Sequence, residues 1–352
     1  MEGSIHRVRQ VLQGRRPDRA PLFDLLRNDA VLSHFGGRRL DFDNAQEVVY
    51  RAHGAALDAT RPAVRLPQPE RCETLPDGRT MKYLRWTAWQ APCFYASPEE
   101  FAQERARYVE TFDAAWNAER QRALDEELAF FARDRHRLGD LFYFPATRGV
   151  GIQPLYTAIG LEQFCLFMLY YPQLIDDLLE CSALEAIAWC EHLPADHGIE
   201  AVFVSEDMAS KNGPLFSLDW LDRHYFPRLQ RVIAAYHQRG ILVMFHSDGN
   251  LMPVLDRLVA AGIDGLNPLE VQAGMDPVQI HNRYPKLFLS GGIDVSNLLP
   301  FATPDEIRRV VRRTLEGTGG RLLVGSSTEL NQEVPLENYL ALHETALNFT
   351  LD

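Results

Sequence analysis

The segment Phe245-His-Ser-Asp-Gly-Asn250 sets an imidazole and a carboxylate two residues apart. Residues i and i+2 on an extended strand end face the same side, so His246 and Asp248 are expected to point together into a pocket. One imidazole nitrogen and one carboxylate oxygen suit Zn²⁺ or another borderline divalent ion. Glu270, 24 residues after His246, is the expected third ligand at the next strand end. The alternative is a hydrogen-bonded pair that merely shapes a turn. Glu206 and Asp207 form a second candidate group. Two adjacent carboxylates in a partly dry site push one pKa up, which suits general acid work. Their bland alternative is one carboxylate capping a turn while the other is solvated. Gly291-Gly292 ahead of Asp294 permits close backbone approach to a ligand.

These residues follow short apolar runs that read as strands. From residue 200 onward, runs at 202–205, 241–245, 263–267, 287–292 and 321–325 alternate with helical segments at 218–239, 250–261, 277–284, 303–315 and 336–347. Continuous apolar strands alternating with helices predict a parallel sheet buried on both faces. An open doubly wound sheet and a closed (β/α)8 TIM barrel both fit the pattern. The barrel suits a single domain spanning 1–352 better. Ahead of residue 200, residues 20–24 read as the first strand and 142–145 as another, with a helix at 161–192 broken near Pro172. A hairpin at 70–89, turning at Asp77-Gly78, and a long charged helix at 99–137 are expected to form a peripheral insertion over 65–137.

Sites in such folds form at the carboxyl ends of strands. Arg27, Glu206 and Asp207 are therefore the expected catalytic residues. Arg148, Gln153, Asn212, Asn267, Asp294 and Ser326 are the expected substrate contacts.

Composition narrows the field. The 352 residues carry a formal net charge of −12, which disfavours a nucleic-acid partner. No apolar run reaches the roughly 18–20 residues of a membrane span, and residues 1–7 contain no apolar signal core. The five cysteines form no C-x-x-C, so reduced thiols in a cytoplasmic protein are expected. G-x-G-x-x-G, G-x-x-x-x-G-K-[ST] and G-x-S-x-G are absent, so no nucleotide cofactor and no hydrolase nucleophile are expected.

Several segments together resemble the uroporphyrinogen decarboxylase superfamily. They are the opening residues 7–21, Glu206-Asp-Met-Ala-Ser-Lys-Asn-Gly-Pro, His246-Ser-Asp-Gly-Asn, the stretch 261–270, Leu289-Ser-Gly-Gly-Ile-Asp and Val334-Pro-Leu-Glu-Asn-Tyr. The resemblance spans nearly the whole chain and implies one (β/α)8 barrel with its pocket at the carboxyl mouth. The decarboxylases of the superfamily bind propionates through a segment shaped R-Q-A-G-R. Here only Arg27 of Asp24-Leu-Leu-Arg27-Asn-Asp-Ala matches it, and their Gly-His is Gly325-Ser326. The corrinoid-linked methyltransferases carry an H-x-C zinc site with a distant Cys. Here His246 matches, Asp248 stands at the Cys position, and Ser326 or Ser327 stands near the second. The His-to-Glu spacing also resembles the zinc site of cobalamin-independent methionine synthase, which again favours Glu270.

The resulting expectation is metal-dependent methyl transfer between a small substrate and a thiol or corrinoid carrier, with zinc as the first choice of ion. A corrinoid protein and a second copy of the chain are the expected partners. The alternatives are decarboxylation of a small carboxylate clamped by Arg27, and a non-catalytic ligand-binding barrel.

Overall fold

The computed structural model describes residues 3–61, 64–76, 79–91, 95 and 97–350. Eight parallel strand positions follow one another around a ring. The first, residues 22–26, makes isolated bridges, with Leu22 against Val324 and Phe23 against Ala59. Next come Ala59–Thr60, then Phe142–Tyr143 continuing past Pro145 into Ala146–Thr147. Ala201–Ser205, Leu242–His246, Gly265–Asn267, Phe288–Ile293 and Leu322–Ser326 complete the set. From the second strand onward each pairs in parallel with the next. The Leu22–Val324 bridge joins the eighth strand to the first, so the ring is a closed (β/α)8 barrel and not an open sheet.

Strand periodicity sorts the side chains. Val202, Val204, Val243, Phe245, Leu266, Leu289 and Val324 face outward and pack with the helices. Phe23, Ala59, Phe142, Phe144, Ala201, Phe203, Met244, Phe288 and Leu323 face inward and fill the barrel. Val8 and Val11 of the helix Ser4–Leu12 join this inner core. Arg7 of the same helix is 2.7 Å from Asp58, which precedes the second strand, and Arg19 is 2.6 Å from it. That helix therefore stoppers the amino end of the barrel. The next inward positions toward the carboxyl end are Arg61, Ser205, His246, Asn267 and Ser290, so polarity begins one rung above the phenylalanines.

Between the second and third strands lies an antiparallel sheet of Arg71–Thr74, Thr80–Tyr83 and Ala88–Gln90. Among the described residues its strands pair only with one another. The expected turn at Asp77-Gly78 lies outside the described residues. The helix expected at 99–137 is two helices, Pro98–Thr111 and Ala118–Leu138. Asn117 starts the second by accepting the N–H groups of Glu119 and Arg120. Among the described residues, no helix is long and apolar enough to cross a membrane.

Candidate active site at the carboxyl mouth

Asp207, His246 and Asp248 come together where the fourth and fifth strands end. One ligand atom from each lies within 4.8 Å of the others. His246 Nε2 and Asp207 Oδ1 are 3.6 Å apart. His246 Nδ1 meets Asn267 Oδ1 at 2.8 Å, and Asn267 Nδ2 donates to Ser290 Oγ at 3.0 Å. The fifth, sixth and seventh strands thus fix the ring, with Nδ1 as donor and the Nε2 lone pair turned to the mouth.

Asp207 is held on both oxygens. Gln153 Nε2 donates to Oδ2 at 2.6 Å, and the Asp248 N–H donates to Oδ1 at 3.0 Å. Asp248 Oδ1 is buried and has no hydrogen-bond partner among the described residues. Burial, with Asp207 repelling, pushes the Asp248 carboxyl up to about 7, while Arg61 opposes the shift. Burial pushes the His246 imidazole down to about 4, and Arg61 adds to that effect.

Glu270, the expected third ligand, stands outside this group, with Oε2 accepting the Gly249 N–H at 2.7 Å. Asp207 takes the position the sequence reading gave to Glu270. The reading of Glu206 and Asp207 as one acid pair also changes, because the two face different ways. Glu206 is buried and accepts the N–H groups of Gly151 at 2.5 Å and Gln153 at 3.2 Å. Burial raises its pKa to about 7 against the lowering effect of those backbone bonds. It anchors the start of the helix Ile152–Ile159 and so sets Gln153 against Asp207.

The remaining expected residues divide. Gln153 and Asn267 reach the cluster as holders of Asp207 and His246. Ser326 is buried with Oγ donating to Asp24 at 2.7 Å. Asp294 accepts Gln272 Nε2 and the N–H groups of Ser296 and Leu298, and so ties a turn. Arg148 points outside the barrel, paired with Glu127 at 2.9 Å and over Trp189. Asn212 is exposed in the turn between Ala209–Ser210 and Gly213–Pro214. None of these four contributes to the cluster.

Arg27 lies at the end of the first strand, paired with Glu329. Burial lowers its pKa to about 10. Arg61, absent from the sequence expectations, pairs with the other Glu329 oxygen at 2.9 Å. Its guanidinium lies 5.5 Å from the ring centre of Phe203, whose ring centre is 4.9 Å from that of His246. The signal that would have found Arg61 is its place two residues beyond inward-facing Ala59.

The family model described as uroporphyrinogen decarboxylase (URO-D) matches residues 155–349, more than half of the chain. Among solved structures, a methyltransferase from Methanosarcina mazei superposes with a TM-score of 0.69. The match covers 98% of this chain and 98% of that one at 17% sequence identity, a likeness of fold. No curated protein matches the chain by sequence.

Proposed function

Because the chain belongs to the uroporphyrinogen decarboxylase family, we propose that the barrel mouth is the active site of a metal-dependent methyltransferase. Its proposed reaction moves a methyl group between a small substrate and a thiol or corrinoid carrier. The observation that carries this reading is the convergence of Asp207, His246 and Asp248 within 4.8 Å. The residues fit a divalent ion on three counts. Asp248 Oδ1 is buried and partnerless among the described residues. Asn267 engages Nδ1 of His246 and leaves Nε2 free to ligate. The 3.6 Å between His246 Nε2 and Asp207 Oδ1 is close to the roughly 3.4 Å that separates two ligands on one tetrahedral zinc.

An imidazole and two carboxylates make a harder site than a thiolate set, open to Zn²⁺, Co²⁺, Mn²⁺ or Fe²⁺. Such an ion acts as a Lewis acid and lowers the pKa of a bound nucleophile such as a thiol. The chain's own contribution is orientation. Gln153 and the Asp248 N–H fix Asp207, Asn267 fixes His246, and the Phe203 ring floors the site and excludes water beneath it. The structural likeness to a protein named a methyltransferase supports methyl transfer over the other chemistry of the superfamily.

The test is elemental analysis of protein purified without chelators, followed by titration with the four ions. Methylcobalamin and a thiol panel then serve as trial substrates. Uptake of one ion per chain is expected, with demethylation of methylcobalamin that Asp248→Asn reduces at least tenfold through the lost anionic ligand. A protein that takes up none of these ions would remove the reading.

A further inference from the structure

We propose that a cavity in the wall of the barrel's amino-terminal half is a second ligand site, separate from the mouth, and that it takes an uncharged aromatic molecule carrying one hydrogen-bond acceptor. The cavity has its origin in the third strand. Phe142–Tyr143 pairs with Ala59–Thr60, whereas Ala146–Thr147 pairs with Phe203–Val204. The switch falls at Pro145, whose ring leaves no N–H to bond. Among the described residues, strands three and four are joined from the Pro145 carbonyl onward, which accepts the Phe203 N–H at 2.8 Å. Below that point they part, and the helix Ala118–Leu138 lies across the gap. The space enclosed is about 730 Å³, a size that suits a small-molecule ligand.

Its lining sets the chemistry. Leu128, Phe131 and Ala132 of that helix share the cavity with Leu141, Tyr143 and Ile199. Phe142, a member of the inner core, separates the space from the barrel's interior. The charged groups at the rim are already satisfied or wet. Arg135 donates to the Gly198 carbonyl at 3.0 Å, and Arg9 holds both oxygens of Glu200 at 2.7 Å. His136 and Asp196 are exposed. His197 Nδ1 accepts the Ile199 N–H at 3.0 Å, and burial lowers its pKa, which favours the neutral ring. Among the described residues no countercharge is left for an ionic ligand, and burying an unpaired charge is costly. One donor does remain. Tyr143 lines the cavity, and its buried Oη has no hydrogen-bond partner among the described residues. Burial raises its pKa, which keeps the hydroxyl protonated. A ligand carbonyl supplies the missing acceptor, and the rings of Phe131, Phe142 and Tyr143 favour a flat apolar body.

Binding is measured by saturation-transfer NMR on the full chain, with and without Zn²⁺. Three probes share one bicyclic body: 1-indanone has a carbonyl, indane has no acceptor, and indane-1-carboxylate bears a charge. 1-Indanone should bind at least about threefold more tightly than indane, and at least about tenfold more tightly than the carboxylate. Tyr143→Phe should erase the difference between indanone and indane while both still bind. Its unfolding midpoint should be no lower than the wild type's, because an unsatisfied hydroxyl is removed. Ala132→Trp fills the cavity from an exposed helix position. It should weaken both neutral probes at least about tenfold and leave Zn²⁺ uptake unchanged. Where that variant fails to unfold cooperatively, Leu128→Trp takes its place. No binding by either neutral probe, equal binding by the carboxylate, a preference for indanone that survives Tyr143→Phe, or affinity untouched by the filled cavity would each overturn the proposal. Displacement of the probes by Zn²⁺ would put them at the mouth and overturn it as well. Failure of the metal reading leaves the second site standing, because no residue of the Asp207–His246–Asp248 cluster lines the cavity.

Discussion

Asn267 touches no substrate in this scheme, yet it decides which nitrogen of His246 is free. Asn267→Ala should lower zinc affinity about 10–100-fold, read by competition with a chromophoric chelator, and should also cost about 1–3 kcal/mol of stability because buried His246 Nδ1 and Ser290 Oγ lose their partner. Asp24 makes a different prediction. It is buried and accepts bonds from Ser326, Leu25 and Leu330, and burial raises its pKa from 3.8 to about 6. Between those values the folded protein binds a proton that the unfolded chain does not. Its contribution to stability therefore falls as pH rises through 4 to 6, by up to roughly 3 kcal/mol. Urea unfolding from pH 4 to 7 should show a flatter profile in Asp24→Asn than in the wild type. At this scale the sequence was legible where strand parity alone decides, as for His246 and Asp248. It was not legible for Asp207, because adjacency to Glu206 says nothing about which carboxylate turns inward. Arg61 was missed because the two-residue strand Ala59–Thr60 has no apolar run to announce it.

Elements set the site through their ends. Glu206 binds the backbone that opens Ile152–Ile159, and that helix start carries Gln153 to Asp207. Glu206→Ala should free this turn and leave several N–H groups unsatisfied, at about 1–3 kcal/mol. Zinc affinity should fall with stability, seen when calorimetric unfolding and chelator competition are run on the same samples. Glu206→Gln, which keeps one acceptor oxygen, should recover part of both losses. The strands from Ala201–Ser205 onward were readable because each is a continuous apolar run stopped by a turn. The first half resisted because its first strand is a set of bridges and its charged helical stretch is interrupted at Asn117. The 250–261 segment becomes helical only at Leu255, after turns around Pro253 that apolar spacing alone does not reveal.

The amino end of the barrel depends on an ionic cluster that ties the opening helix and the first strand to Asp58. Asp58 takes Arg7 and Arg19 on its two oxygens, with further bonds from Ser4 Oγ and the Leu22 N–H. Asp58→Ala would leave Arg7 paired with Asp18, and losing Asp58 should cost about 1.5–3 kcal/mol, which guanidinium denaturation would register. Zinc uptake at the far end should persist in the fraction that stays folded.

The helix Ser4–Leu12 gives the barrel the form of a flask. A flask has one doorway, and whatever enters must leave by the same route. If a carrier protein covers that doorway to exchange a methyl group, the small substrate must already be aboard. Its product can depart only after the carrier has gone. Order of arrival is then written into the architecture, before any residue at the rim expresses a preference.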